Sequence, residues 1–321
     1  MTSRVAVLDD YQRVALDMAD WSALHGRVAV DIFDDHLDDE DALVARLAPY
    51  SVVVAMRERT AFARSTLERL PNLELLVTTG PRNAAIDMAA CAELGVTVCG
   101  TGGDSHSTSE LTWALVLACA RHLPTEVGNV RSGGWMTTVG ADLYGRTLGL
   151  CGLGRIGAMV ARVGTAFGMQ LIAWSQNLTE ERCAQFGATR VEKDELFANS
   201  DFVTVHLVLS ERTRGLIGER ELAMMKRSAY LINTSRGPIC DEDALARACA
   251  ERWIADAGLD AFGLEPLPAD HPFRALDNVI ATPHIGYVSD AVYRIFFREV
   301  VEDITAFLDG QPVRVVNESA R

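Results

Sequence analysis

Short runs of β-branched and other apolar residues alternate along the chain with longer segments in which apolar residues recur every three or four positions. In the first hundred residues, the predicted strands are VAVLDD, RVAVDIF, SVVVAM, LELLVTTG and VTVCG. Helical segments such as DEDALVARLAP and STLERLP separate several of these strands. This alternation is typical of βαβ units, in which the strands lie parallel in one sheet. The first part of the chain is therefore predicted to form a small open α/β domain.

The second half of the chain repeats this alternation on a larger scale. Its predicted strands are TLGLCG, LIAWS, FVTVHL, AYLINTS, AGLDAF and VIATPH. The helices between them are RIGAMVARVGTAFG, TEERCAQFG, ERELAMMK and DEDALARACAERW. A last helix, at about residues 289–308, leads into the tail QPVRVVN, which we expect to return to the first domain. The chain is therefore predicted to be an α/β protein with two open parallel-sheet domains, one of residues 1–101 plus 288–321 and an inserted one of residues 102–287.

The composition is that of a globular protein without a basic surface. Of the 321 residues, 49% are hydrophobic and 23% are charged, and the net charge is −14. Acidic residues concentrate in DIFDDHLDDEDAL, at residues 31–43, which we interpret as a solvated surface, and no comparable basic run occurs. Because phosphate binding requires a cluster of Lys and Arg, we expect no nucleic-acid partner.

The cysteines and the most apolar helical segment indicate the compartment. The seven cysteines are an odd number and include no C-x-x-C pair, which argues against a disulfide framework and against a zinc site. We therefore expect reduced thiols, a cytoplasmic location and no bound metal. LTWALVLACA, at residues 111–120, is too short to span a bilayer, so we expect a buried helix and no membrane partner.

The segment LGLCGLGRIG contains Gly152, Gly154 and Gly157 in the spacing G-x-G-x-x-G. Alone this spacing is weak, but here it follows a predicted strand and opens a predicted helix. In that setting the first glycine forms a tight turn, the second admits a pyrophosphate, and the third packs the helix on the strand. The helix N-terminus offers free N–H groups to the phosphates. The motif predicts a site for NAD or NADP.

The end of the next strand carries no acidic residue to bind the adenosine ribose. This position, where Asp or Glu is expected in an NAD site, reads Ser175, Gln176 and Asn177. The absence of a carboxylate removes the repulsion of a 2′-phosphate, but the nearest arginine is Arg182. The sequence leaves the choice between NAD and NADP open.

Three charged or titratable residues follow later predicted strands. Arg236 follows AYLINTS, Glu265 lies in GLDAFGLEPLP, and His284 follows VIATP. Each alone is more often a surface or structural residue. Together, beside a dinucleotide motif and at strand ends where open α/β sheets bind ligands, they predict an active site.

The chain resembles the D-isomer-specific 2-hydroxyacid dehydrogenases, relatives of phosphoglycerate dehydrogenase that include glyoxylate and hydroxypyruvate reductases. The matching segments include TLGLCGLGRIG, HLVLSERTRGLIG, LINTSRGPICDEDAL, AGLDAFGLEPLP, VIATPHIG and LVTTGPRNAAIDMAACAELGVTVCGTGG. The resemblance covers nearly the whole chain. It implies a Rossmann-type nucleotide-binding domain inserted into a flavodoxin-like substrate domain, with Arg236, Glu265 and His284 as an active site between the two.

The residue types suit reduction of a 2-keto acid, which receives a hydride at C2 and a proton on its oxygen. Arg236 can clamp the carboxylate with its planar fork and polarise the carbonyl. His284 can act as the general acid, and as the base in the reverse direction, since histidine changes charge near neutral pH. Glu265, if bonded to the imidazole, would orient the ring and favour its protonated form. The substrate is expected to be a small 2-keto or 2-hydroxy acid such as glyoxylate or hydroxypyruvate.

The resemblance also implies cofactor contacts, with Asp260 at the nicotinamide amide and Val208 on the adenine side. The full set of expected cofactor-binding residues is Gly152, Gly154, Arg155, Ile156, Gly157, Ser175, Val208, Thr234, Ser235, Arg236, Asp260, His284 and Gly286.

The first domain departs from the family at the turn that usually offers a carboxylate the backbone of G-x-G. Here the turn reads Gly80-Pro81-Arg82, so either Arg82 binds a second anionic group of the substrate or it points to solvent and leaves the backbone N–H to bind. Arg57, in AMRERT, is a further candidate, so the expected substrate-binding residues are Arg57, Gly80, Arg82 and Arg236.

The resemblance also bears on the oligomeric state and on whether the protein is an enzyme or a binding protein. It implies a homodimer formed through the nucleotide domain, with Trp135 packed at a domain or dimer interface. Some relatives, the C-terminal binding protein corepressors, are nicotinamide-responsive binding proteins that keep the catalytic trio. The lack of long disordered tails leads us to prefer an enzyme. A Rossmann methyltransferase would leave the trio without a purpose.

Overall fold

Two parallel sheets organise the chain, one in each of two units. The computed structural model describes residues 3–317. The first unit comprises the chain up to Asp104 and again from Val288 onward, and the second unit is Ser105–Tyr287.

The first unit contains a five-stranded parallel sheet in the order β2-β1-β3-β4-β5. This is the flavodoxin-like order of doubly wound sheets. Its strands are β1 (Ser3–Val7), β2 (Val28–Ile32), β3 (Val52–Ala55), β4 (Leu75–Thr78) and β5 (Thr97–Gly100), and its helices are α1 (Glu40–Leu47), α2 (Arg64–Leu67), α3 (Met88–Glu93) and the later α11 (Asp290–Leu308), with a 3-10 turn at Ser22–Leu24. The interior strands β3 and β4 are buried throughout, which explains their continuous apolar runs.

The last part of the chain packs into this first unit. Helix α11 buries one apolar face, which includes Phe297, Val300 and Ile304. Beyond it, the side chain of Asn317 accepts a hydrogen bond from the backbone N–H of Val98 at 2.8 Å and donates one to the carbonyl of Val96 at 2.8 Å. The tail therefore runs beside β5.

The second unit contains a seven-stranded parallel sheet in the order β12-β11-β10-β9-β6-β7-β8. Numbered within the unit, its first six strands follow the Rossmann order 3-2-1-4-5-6, and the seventh extends it. The strands are β6 (Thr147–Cys151), β7 (Gln170–Trp174), β8 (Ala188–Arg190), β9 (Phe202–Val205), β10 (Tyr230–Asn233), β11 (Asp256–Leu259) and β12 (Val279–Ala281), and the helices are α4 (His106–Ala120), α5 (Leu123–Arg131), α6 (Arg155–Ala166), α7 (Glu180–Ala184), α8 (Lys193–Asn199), α9 (Glu219–Met224) and α10 (Glu242–Ala250), with 3-10 turns at Gly237–Ile239 and Pro272–Arg274.

The predicted fold class, two open parallel-sheet α/β domains, is confirmed. The apolar segment at residues 111–120 is the buried part of α4, where Trp113, Val116 and Cys119 join the core. In the described part of the chain, no helix combines the length and the apolar character that a membrane crossing requires.

Three elements of the second unit were not predicted from the sequence. Helix α5 buries none of its residues, and Pro124 and Gly128, both weak helix formers, reduce the helical signal of Leu123, Val127 and Val130. Strand β8 is three residues long and only Ala188 in it is buried, which leaves no alternation to detect. Helix α8 spans seven residues, about two turns, but its buried residues Leu196 and Phe197 are adjacent, so they do not recur at helical spacing.

Candidate active site

The predicted site residues of the second unit follow the carboxyl ends of its strands. Because the strands are parallel, these ends lie along one edge of the sheet. Gly152 follows β6, Ser175 follows β7, Arg236 follows β10, Asp260 follows β11, and His284 follows β12.

Glu265 and His284 are in direct contact. Nδ1 of His284 lies 2.6 Å from Oε2 of Glu265, within hydrogen-bond distance. The other carboxylate oxygen, Oε1, accepts the backbone N–H of Phe262 at 2.8 Å. The carboxylate is thus fixed from two sides and in turn fixes the plane of the imidazole.

The backbone of His284 is in the left-handed region, with φ +52°. A residue other than glycine adopts this backbone conformation at an energetic cost, and such residues concentrate at functional sites. The edge of the imidazole meets the ring of Tyr287 at a centroid distance of 5.6 Å. Packing and backbone together restrict where the imidazole can point.

Asp260 holds the loop that carries His284. Its buried carboxylate accepts the Thr282 hydroxyl at 2.6 Å and the backbone N–H groups of Ile285 and Gly286, each at 2.8 Å. Burial raises the pKa of the Asp260 carboxyl, while these hydrogen bonds favour its charged form. A side chain at Gly286 would lie 3.0 Å from Oδ2 of Asp260, a tight contact, so glycine allows this approach without displacing the carboxylate. Sequence reasoning missed Thr282, which only the fold brings to Asp260.

The loop that carries Arg236 packs directly on the loop that leads to Glu265. Side-chain atoms added to Gly237 would overlap the backbone of Phe262 and Gly263, so only glycine allows this approach. The carbonyl of Arg236 accepts Nδ2 of Asn233 at 3.0 Å, and Nη1 of Arg236 donates to the carbonyl of Ser235 at 2.8 Å. The two loops, which are distant in sequence, are therefore neighbours.

Thr234 and Ser235 connect this edge to neighbouring elements. The hydroxyl of Thr234 lies 2.7 Å from that of Thr112, on α4, and the hydroxyl of Ser235 donates to the carbonyl of Leu207 at 3.0 Å. The next residue, Val208, exposes 83% of its surface. Sequence reasoning missed Thr112, and the only signal was a polar residue within the apolar stretch at residues 111–120.

The glycine turn fits a dinucleotide. Gly152 has φ +104°, and a side chain there would meet the carbonyl oxygen of His206 at 2.7 Å. A side chain at Gly157 would overlap the carbonyl of Gly152, whereas Gly154 is exposed and faces open space. Helix α6 starts at Arg155, so the first N–H groups of this helix, including that of Ile156, have no partner within it. An open approach at Gly154 beside these donors suits a pyrophosphate.

In the first unit, the structure brings Arg57 and Gly80 together. Nη1 of Arg57 donates to the carbonyl of Thr79 at 3.2 Å, and a side chain at Gly80, which has φ +93°, would overlap that guanidinium. Arg82 is exposed on the turn beside them.

The backbone of the Gly80-Pro81-Arg82 turn offers few free donors. The N–H of Gly80 already donates to the Thr101 hydroxyl at 2.7 Å, and proline has no N–H. The donors of this turn that are left for a carboxylate therefore belong to Arg82.

The chain matches a known family along most of the second unit. The profile described as D-isomer specific 2-hydroxyacid dehydrogenase, NAD binding domain, matches residues 113–286. A glyoxylate reductase of Aeropyrum pernix is 38% identical over 262 residues, which cover 78% of each chain. A hydroxypyruvate reductase of Thermotoga maritima is 34% identical over 295 residues, which cover 90% of this chain and 94% of that protein.

Solved structures agree with these matches. A phosphoglycerate oxidoreductase from Vibrio cholerae superposes with a TM-score of 0.92 at 35% identity, over 97% of this chain and all (100%) of that one. A D-lactate dehydrogenase from Aquifex aeolicus, solved with NAD and lactic acid, gives a TM-score of 0.80 at 26% identity, over 98% of this chain and 100% of that one. The resemblance predicted from the sequence is confirmed, and the binding-protein alternative is not favoured. The chain belongs to the D-isomer-specific 2-hydroxyacid dehydrogenase family, and it is an NAD-binding oxidoreductase that acts on the CH–OH group of its donors.

Proposed function

We propose that the protein reduces a small 2-keto acid such as glyoxylate or hydroxypyruvate to the 2-hydroxy acid, with His284 as the proton donor. The observation that carries this proposal is the bond between Nδ1 of His284 and Oε2 of Glu265, in the unit that also holds the glycine turn and Arg236. The nicotinamide cofactor, when bound, supplies the hydride for C2 of the substrate.

In this proposal His284 transfers its proton from Nε2. Glu265 occupies Nδ1, so the exchangeable proton of the imidazolium is on the other nitrogen. The negative charge of Glu265 stabilises the imidazolium before the proton is transferred. The hydrogen bond from the Phe262 N–H holds the carboxylate in place if the imidazole moves. In the oxidation direction, the neutral imidazole accepts the proton of the hydroxyl group.

Arg236 is proposed to bind the substrate carboxylate. Its guanidinium presents parallel N–H donors that match the two carboxylate oxygens. The contact of Gly237 with Phe262 and Gly263 supports this role, because it anchors the Arg236 loop against the loop that leads to Glu265. In the first unit, Arg57 and Arg82 are proposed as further anion-binding groups, and Gly80 contributes by making room for the Arg57 guanidinium.

The experiment that tests the activity is oxidation of reduced cofactor, followed by its absorbance, with glyoxylate, hydroxypyruvate and pyruvate in separate reactions. The His284→Ala variant is expected to lower kcat by at least about 100-fold, the usual contribution of a general acid. His25→Ala, an exposed histidine of the first unit, is the control and is expected to retain activity. A loss smaller than about tenfold in His284→Ala contradicts the assignment.

We propose that the protein is a cytoplasmic homodimer. Helix α5 and the segment after it expose several large apolar side chains, namely Leu123, Val127, Val130, Trp135, Met136, Val139 and Tyr144. Patches of this kind mark interaction surfaces, and a second copy of the chain would cover them. Size-exclusion chromatography with light scattering is expected to give a dimer, and Val139→Arg a monomer, whereas Leu16→Arg, at an exposed site of the first unit, leaves the dimer intact. The seven cysteines, all buried and unpaired, suit a reducing compartment.

A further inference from the structure

The glycine turn has a neighbouring loop that carries no carboxylate. The backbone N–H of Gly152 donates to the carbonyl of Trp174 at 2.8 Å, which places the end of β7 beside the turn. The loop that follows begins at Ser175 and is closed by a hydrogen bond from Leu178 N–H to the carbonyl of Ser175 at 3.0 Å. In Rossmann units this loop meets the ribose of the adenosine, and an acid there selects NAD. In this chain it offers neutral side chains.

Arg182 reaches from α7 to the same turn. Its Nε donates to the carbonyl of Leu153 at 3.1 Å, and its Nη2 approaches the carbonyl of Gly154 at 3.4 Å. The backbone N–H of Arg182 donates to the hydroxyl of Thr179, the N-cap of α7, which fixes the base of the side chain. The guanidinium therefore lies against the glycine turn, 28 residues away from it in sequence.

The position of the guanidinium is further fixed by packing. Its Cζ lies 4.5 Å from the centre of the Phe186 ring, and Nη1 donates to Oε1 of Gln185 at 3.1 Å. These bonds use only part of the donors of a guanidinium, so others are left for a ligand.

The positive charge of Arg182 has no carboxylate partner. Its hydrogen bonds go to neutral oxygens of Leu153, Gly154 and Gln185, and in residues 3–317 it forms no ion pair. The pKa of the adjacent Glu181 carboxyl is lowered by its own backbone N–H and by the Thr179 hydroxyl, not by Arg182. Arg155, exposed at the start of α6, adds a second positive charge next to Gly154.

We infer that this edge of the turn binds a dinucleotide that carries a 2′-phosphate, and that Arg182 is the residue that selects it. A phosphate is the group whose charge and oxygens match a guanidinium held against the glycine turn, next to the end of β7. The hydroxyl of Ser175 adds a donor where a carboxylate would repel the phosphate. The inference rests on the proposed function, since it concerns the cofactor of the proposed reductase. We expect this reductase to bind NADPH at least as tightly as NADH.

The test is a fluorescence titration of the whole protein with NADPH and with NADH, without substrate. The wild type is expected to bind NADPH with a Kd equal to or lower than that for NADH. In Arg182→Gln, the Kd for NADPH is expected to rise at least about tenfold, the typical loss of a charge-assisted hydrogen bond, while that for NADH changes less than about twofold. Ser175→Asp is expected to reverse the preference toward NADH.

Arg162→Gln is the matched control. Arg162 lies over the same Phe186 ring, at 5.5 Å, but belongs to α6 and bonds neither Leu153 nor Gly154. This variant is expected to keep the wild-type Kd for both cofactors. Thermal unfolding of each variant shows that the fold is retained.

Two results would overturn the inference: wild-type protein that binds NADH more than tenfold tighter than NADPH, or an Arg182→Gln variant that loses both cofactors equally. Failure of the proposed function appears separately. If neither cofactor is oxidised by any 2-keto acid, the reductase assignment is wrong, and the Kd values still decide whether Arg182 selects the 2′-phosphate.

Discussion

Nδ1 of His284 lies 2.6 Å from Oε2 of Glu265, while Oε1 of the same carboxylate accepts the backbone N–H of Phe262 at 2.8 Å. The first contact places the negative charge of Glu265 beside the imidazole. The second holds the Glu265 carboxylate in position. A histidine in this arrangement has a defined ring orientation. The consequences of removing the charge, the guanidinium, the glycines and a buried acid can each be measured.

Glu265→Gln removes the negative charge and keeps an acceptor for the Phe262 N–H. We expect kcat for keto-acid reduction to fall at least about tenfold, because the imidazolium loses its counter-charge. The matched control is Glu242→Gln, since Oε1 of Glu242 accepts the neighbouring Gly263 N–H at 2.7 Å. Equal kinetics for the two variants would argue that Glu265 acts only as a structural acceptor.

Arg236→Lys keeps a positive charge but loses the planar pair of donors. We expect KM for the keto acid to rise and kcat to fall, because an ammonium cannot hold a carboxylate in two-point contact. Steady-state kinetics at saturating cofactor measure both parameters. Arg247→Lys, at an exposed arginine paired with Glu219 across 2.7 Å, is the control and should leave both unchanged. Unaltered kinetics in Arg236→Lys would place the carboxylate elsewhere.

Alanine substitutions at two glycines of the turn are expected to affect different properties, stability at Gly157 and cofactor binding at Gly154. Gly157→Ala should lower the thermal midpoint, because the new methyl group overlaps the Gly152 carbonyl. Gly154→Ala should keep the midpoint, since the site is open, but weaken cofactor binding by obstructing the approach of the pyrophosphate. Thermal unfolding and a cofactor titration on both variants separate the two effects. A loss of cofactor binding without any loss of stability in Gly157→Ala would be inconsistent with the overlap.

A buried acid in α11 is expected to make stability depend on pH. Burial raises the pKa of Asp303 to about 7, although Nε of Arg314 lies 3.0 Å from its Oδ1, and Glu299 and Glu302 also raise it. Between its ordinary pKa of 3.8 and about 7, the folded protein therefore holds a proton that the unfolded chain has lost. This group lowers the free energy of unfolding as pH rises across that window, by up to ~1.4 kcal/mol per pH unit.

Asp303→Asn should remove the part of the free energy of unfolding that falls as pH rises. Denaturant unfolding at several pH values between 4 and 7 measures the slope, and Asp290→Asn, an exposed acid on the same helix, is the control. A slope that is the same in Asp303→Asn and wild type would show that Asp303 is charged throughout the window.

His206 affects the pH dependence of the free energy of unfolding in the opposite direction. Burial lowers its pKa to about 3, and neither ring nitrogen has a hydrogen-bond partner in residues 3–317. Between about 3 and its ordinary 6.5, the unfolded chain binds a proton that the folded protein excludes, so stability rises with pH. Removing Asp303 should therefore leave a rising slope over this range.

The local features of this protein can be predicted from residues that lie close together along the chain. The apolar runs of β3 and β4 and the periodic apolar residues of α6 depend on neighbours a few positions apart, so periodicity reveals them. The spacing of Gly152, Gly154 and Gly157 is likewise local. The ends of predicted strands located Arg236 and His284, because a parallel sheet aligns those ends on one edge. Helix α5 was missed because Pro124 and Gly128 weaken the helical signal of its exposed Leu123, Val127 and Val130.

Which of these groups come into contact depends on how the strands and loops are arranged in the folded protein. Glu265 contacts His284 across 19 residues of sequence, and Thr282 reaches Asp260 across 22, because β11 and β12 are neighbours in the sheet. The donation from Gly80 N–H to Thr101 is equally invisible in the sequence. Such contacts depend on strand order and on loops packed through glycine, as at Gly237, and no pattern of neighbouring residues encodes the distance between two chain segments.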